Sequence, residues 1–242
     1  MFERVRNGLR SLAVKNHPAI VWRKRGAVWL PTALLPILPM APRKLRIEDL
    51  AWQTNRKGAQ PLHEAYAQKG ATRRPDEVRS PSFVGDLFAW LAAERRPLVI
   101  VEFGAAFGVS GMYWLAGLEA VGIGHLYSFE INPLWARLAN ENMAAISSRF
   151  TLTVGTFEEF VDPVLEGKPI DIAFVDGIHT MEFIVRQFEV LLARASKGAI
   201  LLFDDIDFPT GRMREGWNAI WQRREVAAAC EVNGRIGIVE LA

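Results

Sequence analysis

From Pro97 onward the chain alternates short apolar runs with helical stretches, and this alternation restricts its folding more than any other feature. The runs are 98–103 (LVIVEF), 126–130 (LYSFE), 150–155 (FTLTVG), 171–176 (DIAFVD) and 199–204 (AILLFD). Most are continuously apolar, as strands covered on both faces must be, and such strands belong to parallel sheets whose crossovers are helices. The stretches Ser110–Val121, Leu134–Ile146 and Met181–Leu192 supply crossovers, with Ile184, Phe188, Leu191 and Leu192 on one face of the last. Near the end, Asn233-Gly234 stands between β-rich flanks and predicts a hairpin, hence an antiparallel pair closing the sheet. The expected class is α/β: an open, doubly wound, mostly parallel sheet with an antiparallel C-terminal hairpin strand. Ligands of such sheets bind along the edge where the strands end.

Composition removes several alternatives. A chain of 242 residues, half of them hydrophobic, can bury a core without staples, and the single Cys230 allows neither an internal disulfide nor a cysteine zinc cluster. That cysteine usage fits a reduced, cytoplasmic setting. No internal repeat is visible, so solenoids and propellers fall away. Residues 1–46 carry ten basic residues and one acid, leaving −7 on the rest of a chain whose net charge is +2. The excess is one arm, so the core does not have the charge of a nucleic-acid binder.

Three regions are expected: the basic and apolar arm 1–46, a helical approach segment 47–96, and the main domain 97–242. In the approach segment Ser80-Pro81-Ser82 caps an amphipathic helix over 83–94. Within the arm, 26–42 is uncharged but contains Pro31, Pro36, Pro39 and Pro42, and it falls short of the roughly 20 apolar residues that span a bilayer. Two readings stand for residues 20–46. Trp22, Trp29 and the leucines could lie at a lipid headgroup level as a peripheral membrane contact, or the arm could strap across the domain or a second copy in a homo-oligomer.

The strand 98–103 runs through Glu102 into Gly104, Ala105 and Gly108, and then into a helix. Glycine there permits a tight turn and close backbone approach to a ligand. The loop lacks the closely spaced glycine pair of a nicotinamide-binding G-x-G-x-x-G, and an acid beside a pyrophosphate would repel it. A cationic amino-acid ligand is favoured instead, such as S-adenosylmethionine with its amine and sulfonium. Glu130, with Ile131 after it, closes the next strand, where a carboxylate can accept hydrogen bonds from both ribose hydroxyls. Gly155-Thr156-Phe157 closes the third and would line an adenine pocket. Asp176 and the pair Asp204-Asp205 end the fourth and fifth, so three carboxylates could converge on a hard cation. Without a cation they would repel. His179 lies at the same edge and has the proton affinity to act as a base. Arg212 and Arg214 could clamp an anionic group on an acceptor, or be solvated.

Over about residues 80–242 the chain resembles class I S-adenosylmethionine-dependent methyltransferases, on Glu102-x-Gly104-x-x-x-Gly108, Glu130 and the strand 171–176. The resemblance implies a seven-stranded Rossmann-like sheet and a cofactor site of Glu102, Gly104, Ala105, Gly108, Glu130, Ile131, Gly155, Thr156, Phe157 and Asp176. The segments 175–180 (VDGIHT) and 202–206 (LFDDI) resemble those of metal-dependent O-methyltransferases, notably the bacterial group that tailors sugars and antibiotics. This implies Mg²⁺ held by Asp176, Asp204 and Asp205, with Asp176 and His179 catalytic and Arg212 and Arg214 on the substrate. Two departures stand out: Ile178 replaces an acid present in some relatives, and His179 takes an offset that is lysine in catechol-type enzymes. The expected activity is O-methylation of a sugar, glycoconjugate or other polar small molecule, with no nucleic acid involved. Alternatives are a metal-independent transferase using His179, or a non-catalytic, membrane-associated nucleotide binder.

Overall fold

A computed structural model describes residues 19–34, 38–65 and 70–242. In chain order the elements are β1 (Ile20–Lys24), α1 (Trp29–Ala33), α2 (Lys44–Asn55), β2 (Gln60–Pro61), β3 (Thr72–Arg73), α3 (Pro75–Val78), α4 (Ser82–Arg95), β4 (Val99–Phe103) and α5 (Val109–Val121). They continue with β5 (His125–Glu130), α6 (Pro133–Ala144), β6 (Phe150–Val154), α7 (Phe157–Leu165), β7 (Ile170–Val175), α8 (Met181–Leu192), β8 (Ala195–Phe203), α9 (Met213–Trp221), β9 (Val226–Val232) and β10 (Ile236–Leu241).

The five apolar runs become β4 to β8, which pair in parallel, while β10 runs antiparallel to both β8 and β9. The main sheet has eight strands in the order β1-β9-β10-β8-β7-β4-β5-β6. That is one strand more than the resemblance implies, and the addition is β1 from the arm, antiparallel to β9 with Trp22 opposite Cys230. Strand order reverses at β4, with β7 on one side and β5 on the other. A crevice therefore opens beyond the carboxyl end of β4, where helices on either side diverge.

The continuously apolar strands are covered on both faces, as their sequences require. On one face Phe88 of α4 stacks on Trp114 of α5 at 4.4 Å and meets Phe174 of β7 at 4.6 Å. Helices α4 and α5 approach so closely that a Cβ at Gly117 would lie 2.4 Å from the Ala89 carbonyl oxygen. On the other face Phe188, Phe203 and Trp217 are buried beneath α8 and α9. Crossover helices begin where capping residues dictate: Asn132 accepts from the Leu134 and Trp135 amides ahead of α6, and Thr180 from the Phe183 amide ahead of α8.

Of the two readings for the arm, packing against the domain describes residues 19–34. Trp29 stacks on Trp90 at 5.7 Å, and Leu30 is fully buried. The buried Glu240 carboxylate accepts hydrogen bonds from the Trp29 and Leu30 amides, at 3.2 and 2.6 Å. Trp22, partly buried, packs on the core beneath the Arg25 guanidinium. These side chains have partners within the fold. No helix among the described residues is long and apolar enough to cross a membrane. Residues 1–18, including Arg4, Arg6, Arg10 and Lys15, and residue Pro36 lie outside the described residues.

Candidate active site

After β4 the chain turns through Gly104, Ala106 and Gly108, all with positive φ (78°, 46° and 79°). Gly104 is fixed by contact as well as conformation, since a Cβ there would stand 1.9 Å from the Asp176 carbonyl oxygen. Gly108 opens α5 against Ala139 of α6. The Gly104 and Ala105 amides donate to the Phe129 carbonyl, which hangs the loop on the end of β5.

Glu130 completes that attachment. One carboxylate oxygen accepts from the Ala106 amide and the other from the Asn132 amide, each at 2.8 Å. Only 6% of the residue is exposed. Burial pushes its pKa up to about 7 despite the two backbone hydrogen bonds that favour the anion. Its oxygens keep lone pairs beyond these two bonds.

Between this loop and the segment before α4 lies a crevice bordered by Arg79, Ser80, Gly104, Ala105, Ser110 and Asp176. Arg79 is held by Glu48, which also accepts from the Tyr113 hydroxyl at 2.6 Å. Ser80 Oγ is buried without a hydrogen-bond partner, an arrangement a ligand's polar group would relieve. A glycine loop facing an unpaired buried hydroxyl fits the polar end of a ligand such as S-adenosylmethionine. The sequence offers Ser80 only as part of a helix cap, but Pro81 is the N-cap of α4 with no side-chain capping bond and Ser80 Oγ stays unpaired; Arg79 belongs to no spaced motif.

Two of the expected cofactor residues are fully interior side chains. Glu102 does not face the crevice: it is fully buried mid-strand, where Ser128 Oγ donates to it at 2.6 Å. Burial raises its pKa, and its Oε1 is buried without a hydrogen-bond partner among the described residues. Phe157 is also interior, its ring centroid 3.9 Å from that of Phe103 and 5.3 Å from that of Phe129. Strand alternation and the first turn of α7 direct these two inward. Thr156 is exposed, and Gly155 and Ile131 are half-buried near the ends of β6 and β5.

The acids at the ends of β7 and β8 do converge. Val175 pairs with Phe203 in the parallel register, so Asp176 and Asp204 stand side by side. The cation that meets them is Arg235, from the turn between β9 and β10. Its Nε and Nη2 fork onto the two oxygens of Asp204 at 2.7 and 2.8 Å, and Nη2 lies 3.0 Å from Asp205 Oδ1. The Asp205 amide also donates to Asp204 Oδ1 at 2.8 Å. Two like charges ~4 Å apart cost about 4 kcal/mol in a protein-like dielectric, and Arg235 offsets that repulsion directly. Burial and the Asp204 charge push Asp176 up to about 7. The same causes raise Asp205. Burial alone would lower the Arg235 pKa, but the bond to Asp204 outweighs it and raises it.

This donor set does not fit the Mg²⁺ that the resemblance implies. Asp204 is fully buried as a side chain and spends both oxygens on a guanidinium, which leaves a dication no place in its plane. No group of three His, Cys, Asp or Glu among the described residues is arranged to hold a metal.

His179 sits over the cluster, Nε2 3.4 Å from Asp176 Oδ1 and 3.6 Å from Asp205 Oδ2, with the Phe208 ring 4.9 Å from its own. Burial works to lower its pKa, but the hydrogen bond to Asp176 and the surrounding carboxylates prevail and raise it. The following loop is pinned down, since the Met181 amide donates to the Gly211 carbonyl at 2.7 Å. Arg212, the N-cap of α9, and Arg214, within α9, do not border the crevice. Arg212 pairs with Glu215 and Glu182, whereas Arg214 is bound to Glu231 at 2.9 Å and to the Gly234 carbonyl.

Residues 101–206 match the family described as "Methyltransferase domain". No curated protein sequence matches the chain. Among solved structures, the chain is similar to the O-methyltransferase TomG from Streptomyces achromogenes, involved in tomaymycin synthesis and solved with S-adenosylmethionine: 18% identity, 81% of this chain, 89% of that one, TM-score 0.60. An O-methyltransferase from Bacillus cereus in complex with S-adenosylhomocysteine shares 16% identity over 88% of this chain and 95% of its own, TM-score 0.60. The S-adenosylhomocysteine-bound methyltransferase PaMTH1 from Podospora anserina shares 17% over 86% and 100%, TM-score 0.59. Residues 101–206 thus match a methyltransferase-domain family, and the chain as a whole shares the fold of these cofactor-bound structures.

Proposed function

We propose that the protein is an S-adenosylmethionine-dependent O-methyltransferase acting on a hydroxyl of a sugar, glycoconjugate or other polar small molecule. The observation that carries this reading is the adjacency of a base to the cofactor crevice. Asp176 borders the crevice and at the same time holds His179 by Nε2 at 3.4 Å. The methyltransferase domain and the cofactor-bound structural neighbours support the choice of donor. When bound, S-adenosylmethionine supplies an electrophilic methyl group on its sulfonium.

The residues divide the remaining work. The Gly104–Gly108 loop and Glu130 orient the donor, and Ser80 meets its polar end. Asp176 accepts the His179 Nε2 proton, which leaves Nδ1 as the basic nitrogen of the neutral ring. His179 would then take the acceptor's hydroxyl proton while the methyl group passes from sulfur to the oxygen, the sulfur retaining the electron pair of the broken bond. The proton leaves to solvent, so one S-adenosylmethionine and one alcohol yield S-adenosylhomocysteine, a methyl ether and a proton. Holding the two reactants in line accounts for much of the rate.

The test is a labelled methyl-transfer screen over sugar, glycolipid and phenolic acceptors, paired with calorimetry of S-adenosylhomocysteine binding. His179→Gln should lose about 10²- to 10⁴-fold in turnover with the affinity for S-adenosylhomocysteine retained. Undiminished turnover in that variant removes His179 from the mechanism, and failure of the wild-type protein to bind S-adenosylhomocysteine defeats the whole reading.

A further inference from the structure

Resting on the methyl-transfer reading, we propose that Arg235 is the resident cation of the carboxylate cluster: its guanidinium occupies the ground a divalent ion would need, and methyl transfer runs without one.

The hairpin builds this in. Asn233 and Gly234 turn with positive φ of 54° and 70°, and the β10–β8 register, with Gly237 opposite Phe203, carries Arg235 across from Asp205. The Ile206 amide donates to the Arg235 carbonyl at 2.9 Å, so the backbone is fixed one residue beyond the acid pair. The side chain then closes on Asp204 through two parallel bonds and on Asp205 through one. Such a fork matches carboxylate geometry, keeps its charge at every working pH and has no oxygen ligand to offer a metal. A dication would need six or more oxygens around it, and here the most buried acid is already spent.

The same contacts give Arg235 a positioning role. Asp205 has one oxygen on Arg235 and the other 3.6 Å from His179 Nε2. Arg235 thereby sets where Asp205 stands beneath the base and frees Asp176 to orient it. Arg235 Nη1 has no partner among the described residues.

The test is Mn²⁺ titration followed by electron paramagnetic resonance, with methyl transfer measured in EDTA. Wild-type protein should leave Mn²⁺ free at millimolar concentration and turn over unchanged in EDTA. Arg235→Gln should expose the acids and take up Mn²⁺, while Arg235→Lys, which keeps the charge, should not. Stoichiometric Mn²⁺ binding by the wild type, EDTA inhibition, or a folded Arg235→Gln that binds no Mn²⁺ would each overturn the proposal. If Arg235→Gln does not fold, the wild-type titration and the EDTA assay decide it. Loss of the methyl-transfer reading would show instead as absent S-adenosylhomocysteine binding, which the Mn²⁺ measurement does not depend on.

Discussion

Glu130 offers a quantitative handle on the cofactor site, because it is buried, bound to two backbone amides and half-neutral near pH 7. Ribose hydroxyls donate hydrogen bonds and therefore prefer the anion, so binding should pull the carboxyl back down and release a proton. With a pKa of about 7 in the free protein, the ionised share grows about tenfold from pH 6 to pH 8, and the affinity for S-adenosylhomocysteine should grow with it, by ~1.4 kcal/mol. The sign for stability is opposite. A carboxyl raised from 4.5 to about 7 on folding contributes stability that is present below its unfolded value and lost as pH climbs through 7, on the order of 3 kcal/mol. Ligand-free protein should thus melt lower at pH 8 than at pH 5, while binding strengthens over the same interval. Calorimetry from pH 5.5 to 8.5, in buffers of different ionisation heat, would read both the affinity and the proton release. Asp176 also borders the crevice and titrates near 7, so Glu130→Gln is the discriminating variant: it should flatten the affinity profile. A profile that is flat in the wild type, or one whose slope survives in Glu130→Gln, refutes the role given to this carboxylate.

Four substitutions probe the frame around the site. Gly104→Ala would drive a methyl group to within 1.9 Å of the Asp176 carbonyl oxygen at φ +78°, so it should abolish S-adenosylhomocysteine binding or prevent folding; a variant that folds and binds normally counts against the close approach. Gly117→Ala overpacks the α4–α5 contact by meeting the Ala89 carbonyl at 2.4 Å and should cost about 1–3 kcal/mol in urea denaturation. Glu231→Ala removes the buried acceptor of the Trp217 indole N–H, together with the partner of Arg23 and Arg214. Arg23 is well exposed and can hydrate, but the Arg214 Nη1 that meets Glu231 is itself buried, so the expected loss of about 1–3 kcal/mol comes from the stranded indole and guanidinium nitrogen together, and Arg23→Ala should cost far less.

What the sequence discloses follows from which interactions are local. The five parallel strands are legible because burial on both faces forces continuous apolar runs, and the hairpin because Asn233-Gly234 suits a turn with positive φ at both positions. Helices α7 and α9 have no such signal: each spans 9 residues, and α7 carries Pro163. The strand β1 is invisible for another reason, since its register is supplied by β9, some two hundred residues away in the chain. The site divides along the same line. Gly104, Gly108, Asp176 and His179 are found by spacing within a segment, whereas the inward turn of Glu102 and Phe157 depends on strand phase and on rings contributed by other elements. Arg235 is the instructive case. It follows an unmistakable turn, and counting back from the pairing of β10 with β8 sets it against Asp205, so its place is implied once the strand order is known. A motif of three acids names a need for positive charge, and only the topology determines whether a metal or a side chain from the last hairpin meets it.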